Sequence, residues 1–495
     1  MKKPRWTLLR FTLILAILLA AMSVTALASG APEADAEYET ASGWETGSIA
    51  DAFSKVKDGG SIKLLGDVTL SENLTLSETK SVTLLGEGCK LSVTSIILSG
   101  SFKLTLGAED YDKTLVISSH SDTQCIISCD SDTVLTMYDN VTLGPSRAGG
   151  QTGGVHLSDR AVFYMYGGRI TECENWASIS GAISLANESV FYMYDGLIDN
   201  CTGVRGGAIS VTPQFPIGGS SVGPASVNIY GGTIKNCSDT TSGGAIRINS
   251  SYDVTINISG LSIIDCSTTG YGGAIYVNLS NKDAKVNISD TEITGCSADQ
   301  YGGGIFLYHG DLALGSDVSV HNNSAKLAGD DLYFHATVPS SFYDPPSGLT
   351  LSTTGRDIEG WHVDGLTVGE STPRWTLGGE DVEPYIMPIA AQEVEPGTAL
   401  KAAHGDKVSY TIEVSVNDPD YGTAYADLTS AEAGTTISLT ATPNDGYSFA
   451  GWQVVSGGIQ ITDNKFIMPE ENVKITAVFE KELPPYCLLY TSDAA

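Results

Sequence analysis

The amino-acid sequence predicts an all-β protein: a right-handed parallel β-helix solenoid followed by a small β-rich repeat module. Two observations predict the solenoid. A frame ending in cysteine recurs five times between residues 163 and 296, and within each repeat apolar and polar residues alternate with the period of a β-strand. A third observation predicts the module, because the same alternation returns between residues 407 and 481 after a proline-rich interruption.

The N-terminal residues 1–28 read as a secretory signal peptide. Four basic residues between positions 2 and 10 precede the apolar run 11–21, and Ala26-Leu27-Ala28 has the form of a cleavage site. The apolar run is too short to span a bilayer, although a retained anchor is the alternative interpretation. Residues 29–44 are expected to form a flexible segment before the solenoid.

Charge and cysteine content exclude several classes of partner and site. The chain has 58 acidic and 27 basic residues, a formal net charge of −31. Such a polyanion repels nucleic acid, anionic lipid and polyuronate chains. The nine cysteines are widely spaced and form no C-x-x-C pair, so neither a zinc site nor a disulfide framework is expected. No cofactor and no metal ion are predicted.

The solenoid is predicted over residues 45–336 and begins with a short helix. Residues 48–57 place Ile49, Phe53 and Val56 on one face, with Ser48 as the N-cap and Gly59-Gly60 as the stop signal. A solenoid must cover its first coil, and this helix is well placed to do so. Looser strand alternation then continues from residue 60 to residue 128.

The five repeats define inner columns that predict stacked coils. Each repeat supplies three short strands, and stacking buries the apolar side that one coil leaves open. Three positions are apolar in all five repeats, namely Phe163, Phe191, Val227, Ile256 and Val286; Met165, Met193, Ile229, Ile258 and Ile288; and Ile170, Ile198, Ile234, Ile263 and Ile293.

Glycine and cysteine recur at fixed places in the repeats. Gly-Ala-Ile or Gly-Gly-Ile precedes the third strand of each coil, where the turn needs positive φ or close backbone approach. Asn200, Asn236 and Asp265 suit similar turns. The cysteine column (Cys173, Cys201, Cys237, Cys266 and Cys296) is expected to provide small buried hydrophobes. Disulfides between neighbouring coils remain an alternative, because stacked strands lie within disulfide reach.

These signatures resemble those of the right-handed β-helix proteins of the pectin-lyase-like superfamily, in particular their glycine-rich adhesin-like branch. The resemblance is carried by Tyr-Gly-Gly-x-Ile-x-x-Cys, as at 166–173, by Gly-Gly-Ala-Ile, as at 243–246, and by the entry segment Gly-Gly-Ser-Ile-Lys-Leu-Leu at 59–65. It covers roughly residues 45–335. It implies an exported β-helix, a scaffold found both in adhesins and in polysaccharide-degrading enzymes.

Two further segments follow the solenoid. Residues 337–404 form a proline-rich junction without a sustained period. Residues 405–481 contain the alternating run 433–443, then Gly446-Tyr447, Phe466-Ile467-Met468-Pro469 and the strand-like run 473–479. This order resembles the divergent internalin-type B-repeat, which implies extracellular display. Residues 482–495 resemble a translated sequencing-library transposon end, so the natural protein is expected to continue beyond Tyr486.

Candidate catalytic groups are few. A glycosidase needs two carboxylates facing one groove, and the nearest pair, Asp330-Asp331, is interpreted as solvated residues at the end of the solenoid. His309 is interpreted as a turn residue. Arg169, Arg205 and Arg247 occupy different places in their coils, so they are not expected to converge on a uronate. No catalysis is therefore expected.

The candidate binding residues are tyrosines on one outer side of the solenoid: Tyr138, Tyr164, Tyr166, Tyr192, Tyr194 and Tyr230. Aromatic side chains hold sugar rings and protein side chains. The alternative is a cross-strand ladder that only stabilises the sheet. The insertion 213–224 lengthens one coil and is either a recognition loop or a tolerated insertion.

The sequence thus predicts a secreted or cell-surface adhesin-like or structural protein, located outside a bacterial cell. Its expected partner is a host glycan or an extracellular protein, with no nucleic acid and no membrane insertion after signal removal, and the expected state is a monomer. The alternative function is a carbohydrate-active β-helix enzyme, a hydrolase or lyase that acts on a neutral glycan.

Overall fold

The computed structural model describes residues 34–335 except 151, 178, 213–222, 282 and 316, then 348–351, 358–363, 392–394, 399–404 and 409–481 except 433 and 470. The predicted signal peptide, the terminal tail with Cys487 and most of the insertion 213–224 lie outside these residues. The chain divides into two compact units, Met1–Ala403 and His404–Ala495. Within the described residues no helix has the length and apolar character needed to cross a membrane.

The N-terminal end of the solenoid is closed by a β-hairpin and helix α1 (Ile49–Lys55). Ser48 is the N-cap, and its side chain accepts a hydrogen bond from the Asp51 amide. Ile49, Ala52 and Phe53 are buried, which confirms the predicted apolar face. The expectation of a flexible segment 29–44 is wrong for residues 36–44, because Ala36–Thr40 pairs with Gly43–Gly47 and Gly60–Leu64.

Sheet 1 runs along the whole solenoid. Its strands, in spatial order, are Gly43–Gly47, Ala36–Thr40, Gly60–Leu64, Ser81–Leu85, Lys103–Leu106, Val134–Met137, Val162–Met165, Val190–Met193, Ser226–Ile229, Thr255–Ser259, Lys285–Ser289, Asp311–Leu314, Gly348–Leu351 and Gln392–Val394. The pairs from Gly60–Leu64 to Gly348–Leu351 are parallel, as stacked coils require, and the pairs at each end are antiparallel.

Sheets 2 and 3 form two further sides. Sheet 2 contains Val68–Thr69, Cys89–Val93, Leu115–Ser119, Val141–Leu143, Arg169–Thr171, Leu197–Asp199, Gly232–Lys235, Leu261–Ile264, Glu292–Thr294 and Ser319–His321. Sheet 3 contains Leu74–Leu76, Ile96–Leu98, Ile127–Cys129, Val155–Leu157, Ile183–Leu185, Ile209–Val211, Ile246–Ser250, Ile275–Leu279, Ile305–His309, Leu332–Phe334, Ala399–His404 and Ile358–Val363.

The later coils contain a fourth strand that the three-strand prediction did not include. Sheet 4 consists of Ser146–Ala148, Cys173–Asn175, Thr202–Gly203, Ser238–Asp239, Ser267–Thr268, Ser297–Ala298 and Ser324–Ala325. It is separated from sheet 2 by a residue with positive φ, as at Glu172 (φ 52°), Asn200 (53°) and Asp265 (52°). The column cysteines therefore follow this turn and do not close a strand of sheet 2.

The predicted inner columns are confirmed. Phe163 pairs with Phe191, which pairs with Val227 in the next coil, and these three side chains are 0% exposed. The methionine–isoleucine and isoleucine columns are buried in the same register. Because each column is continuous from coil to coil, the solenoid encloses one core that runs along its axis.

The glycine pairs act in two ways at the entrance to sheet 3. The first glycine has positive φ, as at Gly206 (89°), Gly243 (77°) and Gly272 (69°). The second lies directly under the next coil: a Cβ atom at Gly244 would overlap the carbonyl oxygen of Gly273. Both reasons predicted from the sequence therefore apply, each to a different member of the pair.

The cysteine column is buried and consists of free thiols. Each thiol from Cys201 onward is within hydrogen-bonding distance of two backbone carbonyls; Cys237, for example, contacts Ile198 at 3.8 Å and Lys235 at 3.4 Å. Burial raises the pKa of Cys237 well above its ordinary value. The column cysteines are therefore small buried apolar side chains, as the sequence predicts.

The C-terminal end of the solenoid is closed by strands that come from the predicted junction. Gln392–Val394 pairs antiparallel with Gly348–Leu351, and Ala399–His404 pairs antiparallel with Leu332–Phe334. Leu400 and Ala402 join the solenoid core. The segment 337–404 therefore contributes strands to two solenoid sheets, because antiparallel strands end the parallel stack and cover its last coil.

The C-terminal unit is a small β module with its own core. One sheet contains Ser430–Glu432, Ser409–Val416, Val473–Lys481 and Tyr447–Ser456; the other contains Gly422–Ala426, Thr436–Pro443 and Lys465–Ile467. Ile437, Phe466 and Ile475 lie in its core. Trp452 packs against this core, and its Nε1 donates a hydrogen bond to Asn464 at 2.8 Å.

Candidate functional site: the tyrosine ladder

The tyrosine ladder comprises the six predicted binding residues, which the structure brings together in two columns on the outer side of sheet 1. Tyr138, Tyr166, Tyr194 and Tyr230 each follow directly after a sheet 1 strand. Their ring centres are 5.4, 4.9 and 5.3 Å apart in that order. The parallel register of sheet 1 therefore repeats the same aromatic position once per coil.

The second column is shorter and ends in asparagines. Tyr164 and Tyr192 stack with ring centres 5.1 Å apart and lie beside Tyr166 and Tyr194 at 6.3 and 6.4 Å. Asn228 replaces tyrosine in the next coil, and the Asn257 amide donates to its Oδ1 at 3.1 Å. Both columns thus form side-chain ladders of the kind that stabilises stacked strands.

The orientation of the rings limits what the tyrosine ladder can contact. Consecutive rings of the long column are within 8–21° of parallel, so the interior rings cover one another's faces. What remains outside is ring edges and hydroxyl groups, and Tyr166 and Tyr230 are 42% and 52% exposed. The ladder therefore presents a row of hydrogen-bonding groups and not a set of flat aromatic platforms.

The hydroxyls of Tyr164 and Tyr194 remain protonated near neutral pH. Burial, followed by the neighbouring tyrosine hydroxyls, raises the pKa of Tyr164 and Tyr194 above the ordinary value of 10. Each hydroxyl can therefore donate as well as accept a hydrogen bond. This chemistry suits polar ligands such as glycans or the polar side chains of a protein.

A cleft at the N-terminal end of the tyrosine ladder was not predicted. The acidic–aromatic cleft has a volume of about 720 Å³ and is lined by Ala108, Glu109, Asp110, Tyr111, Asp112, Tyr138, Asp139 and Tyr166. The sequence feature that could have predicted this cleft is the run Glu109-Asp110-Tyr111-Asp112. This run follows the strand Lys103–Leu106, which pairs with the strand Val134–Met137 directly before Tyr138. A smaller cleft of about 250 Å³ lies between sheet 2 strands, around Asp290, Glu292 and Asp317.

The acidic pair at the end of the solenoid is buried, so its interpretation as solvated residues is wrong. Asp331 is 0% exposed and accepts hydrogen bonds from the Asn323 and Ala402 amides at 3.1 and 2.7 Å. Asp330 accepts from the Ala325 amide and lies 3.3 Å from Lys401. Both carboxylates contact the strand Ala399–His404, which covers the last coil.

His309 differs from expectation, and the arginines of the solenoid have different surroundings. His309 is not a turn residue: it ends the strand Ile305–His309, is buried, and its Nδ1 lies 2.9 Å from the Leu279 carbonyl. Arg169 forms a bidentate pair with Asp199. Arg205 lies near Arg247, since its positive charge is among the causes that lower the pKa of Arg247, after the larger effect of burial.

In the described part of the chain, no group of three or more histidine, cysteine, aspartate or glutamate side chains is arranged to hold a metal ion. This statement includes the carboxylates of the acidic–aromatic cleft.

Comparison with known proteins concerns the C-terminal unit. Residues 412–483 match the family described as the divergent InlB B-repeat domain, in agreement with the resemblance seen in the sequence. Domains of this kind are typical of bacterial surface proteins. Neither the curated proteins nor the solved structures gave a match to the chain. The chain thus combines a parallel β-solenoid with a surface-repeat domain, a combination that suggests a surface or structural protein.

Proposed function

We propose that this protein acts at the surface of a bacterial cell as an adhesin-like protein that binds a glycan or protein of a host through the outside of its solenoid. The observation that carries the proposal is the presence, in one chain, of a parallel β-solenoid and a divergent InlB B-repeat domain. The repeat domain supports extracellular display, and the solenoid supplies a rigid, regular surface.

The tyrosine ladder is the proposed contact surface. Its ring centres, each belonging to a hydroxyl-bearing side chain, are 4.9 to 5.4 Å apart along the long column, close to the spacing of stacked strands. Ligands with regularly spaced polar groups, such as linear glycans, would meet several of these hydroxyls at once. Because the inner columns fix the register, the row is preorganised and loses little conformational entropy on binding.

Binding assays test the proposal. The purified protein is applied to mucin, extracellular-matrix proteins and a glycan array. In the triple variant Y166F/Y194F/Y230F, the stacked rings remain but three hydroxyls are lost, so we expect at least a tenfold loss of affinity at about 1 kcal/mol per hydrogen bond. The control Tyr425→Phe alters an exposed tyrosine of the C-terminal unit and should retain binding.

Two results would contradict the proposal. The first is an absence of binding to all of these surfaces by a folded wild-type protein. The second is binding that the triple variant leaves unchanged, which would remove the tyrosine ladder from the contact surface. Surface display is tested separately, with an antibody against the solenoid applied to intact cells of the source organism.

The proposal includes no catalytic step. A screen against neutral plant and host polysaccharides, read by new reducing ends and by the absorbance of unsaturated products, tests this part directly. Turnover of any neutral polysaccharide would contradict the proposal and would favour the alternative function, a hydrolase or lyase.

A further inference from the structure

The tyrosine ladder ends at glycine, next to the acidic–aromatic cleft. Met137 pairs with Leu106 in the parallel register of sheet 1, so the position below Tyr138 is Gly107. The stack of tyrosine rings therefore stops at Tyr138, whose ring centre is 5.4 Å from that of Tyr166. Tyr138, which is partly buried, lines the acidic–aromatic cleft together with Tyr166.

The far wall of the cleft is a short turn held in place from a third coil. The Tyr111 amide donates to the Ala108 carbonyl at 3.2 Å, and the Tyr111 hydroxyl donates to the Glu87 carboxylate. Both contacts order the segment from Ala108 to Asp112. The cleft is thus formed and supported by residues of four successive coils, from Glu87 to Tyr166.

Carboxylates line the cleft, and most of them have no counter-ion among the residues that the structure describes. Glu109, Asp110, Asp112 and Asp139 contribute four acidic groups. Among the described ion pairs, the one that reaches this rim joins Asp112 to Lys113 at 3.8 Å, with both side chains exposed. Glu109 acts on Tyr138 directly, since its charge is among the causes that raise the pKa of that hydroxyl, after burial and Tyr166.

We propose that the acidic–aromatic cleft is a binding site for an organic cation, a protonated amine or guanidinium, which contacts the ring of Tyr138 and lies near Glu109 and Asp139. A cation over a tyrosine face is attracted by the ring quadrupole, and nearby carboxylates add charge complementarity. The volume of about 720 Å³ lies in the range of small-molecule sites.

Other ligand classes fit the cleft less well. Anions are repelled by its four carboxylates and by the net charge of −31. A metal ion needs converging ligands, and no described group of three such side chains converges. A neutral sugar could stack on Tyr138, but it would leave the charge of the cleft uncompensated.

The inference goes beyond the proposed function, because cation binding is measured in solution without any host surface. Isothermal titration calorimetry at low salt uses spermidine as a free polyamine and N-acetyl-lysine methylamide as a basic side chain. N-acetyl-norleucine methylamide is the matched neutral probe, and calcium and N-acetylglucosamine represent the competing classes. We expect heat from one or both cations and none from the neutral amide.

Matched variants locate the binding. The double variant E109Q/D139N should weaken cation binding about tenfold or more, since two charges at close range are lost. The control E72Q/D122N removes two exposed carboxylates outside the cleft and should change affinity less than about twofold, because exposed distant charges are screened. Tyr138→Phe keeps the ring face and should also stay within about twofold, whereas Tyr138→Leu should lose about tenfold.

Three outcomes would overturn the inference: equal binding of the neutral amide or the sugar, calcium binding that E109Q/D139N abolishes in preference to amine binding, and equal loss of affinity in the two double variants. Near-ultraviolet circular dichroism confirms that each variant is folded. If Tyr138→Leu does not fold, the comparison of the two double variants still decides. Failure of cation binding would leave surface attachment through the tyrosine ladder untouched.

Discussion

The buried thiols of the cysteine column differ from ordinary extracellular cysteines in their reactivity. Burial is the main cause that raises the pKa of Cys201, Cys237 and Cys266, and a thiol must be deprotonated and accessible to attack a disulfide. Hydrogen bonds with the preceding cysteine of the column oppose this shift, but burial outweighs them. Packing and protonation therefore act in the same direction, toward an inert column.

We predict that the column thiols of the folded protein do not react with a charged aromatic disulfide at pH 8 over hours, and that they all react in denaturant. Cys89, which is only partly buried, is the internal control and should react in the folded state. Mass spectrometry of the labelled peptides identifies each site. Rapid labelling of Cys201 or Cys237 in the native protein would show that the coils open, contrary to this prediction.

Asp331 makes the stability of the C-terminal end of the solenoid depend on pH. Burial raises its pKa from 3.8 to about 6, although hydrogen bonds from Ala402 and Asn323 oppose the shift. In the unfolded chain the carboxyl ionises near pH 4. The folded state thus binds the proton more tightly, so this group stabilises the fold fully below about pH 4 and loses that contribution as the pH rises through 6.

The free energies of unfolding of the wild type and of the variant Asp331→Asn, compared at two pH values, isolate the contribution of this carboxyl group. The variant loses one hydrogen-bond acceptor at every pH, so the wild type should be more stable at pH 4. That advantage should shrink by about 2–3 kcal/mol between pH 4 and pH 7, since one pKa unit corresponds to about 1.4 kcal/mol. Urea denaturation at each pH measures the difference. An advantage that stays constant or grows with pH would contradict the predicted direction.

At the scale of single elements, the glycine pairs set how closely two coils approach. A methyl group at Gly244 would overlap the Gly273 carbonyl, and carbonyl and backbone atoms of Ser267 lie within 2.7 Å of the same position. These atoms belong to the next coil and its sheet, so they cannot yield independently. The second glycine of each pair is therefore required by space, whereas the first is required by its positive φ.

Two glycine-to-alanine variants test this distinction. Gly244→Ala should destabilise the solenoid by about 2 kcal/mol or more, because backbone must shift to remove the overlap. Gly66→Ala is the matched control: its Cβ would meet no atom within 4 Å, so we expect no loss and a gain of up to about 1 kcal/mol. Chemical denaturation followed by far-ultraviolet circular dichroism measures both. Equal stability of the two variants would contradict the close-approach argument.

The elements that the sequence predicted are those whose signal repeats. The column of Phe163 and Phe191 and the glycine pairs recur once per coil, and α1 has a recognisable cap at Ser48. Sheet 4 has no such signal, because its strands contain two or three residues and its turn accepts Glu172 as readily as Asn200. Period-two alternation cannot be recognised over so few residues.

The elements that the sequence missed depend on contacts between distant segments. The burial of Asp331 depends on Ala402, 71 residues away, and the hairpin at Ala36–Thr40 is defined by pairing with Gly60–Leu64. The acidic–aromatic cleft arises where the aromatic column stops at Gly107. The register of that coil follows from the structure, since its strands lack the tyrosine-glycine signature of the later repeats.

At the scale of the whole solenoid, stability is distributed along one axis and the ends need protection. Each coil contacts mainly its two neighbours, so removal of an end cover exposes apolar surface and unpaired strand edges without disturbing distant coils. The N-terminal cover consists of α1 and the hairpin before it. Phe53, only 4% exposed, is the largest apolar side chain that α1 contributes to the core.

We predict that Phe53→Asp releases α1 and makes the protein associate with itself through the uncovered first coil. A buried charge cannot be accommodated there, and loss of the phenylalanine alone costs about 3–5 kcal/mol. Ser54→Asp places the same charge on the exposed side of the helix and should behave like the wild type. Sedimentation velocity over a tenfold range of concentration distinguishes them. A Phe53→Asp protein that stays monomeric at all concentrations would show that the hairpin alone protects the end of the solenoid.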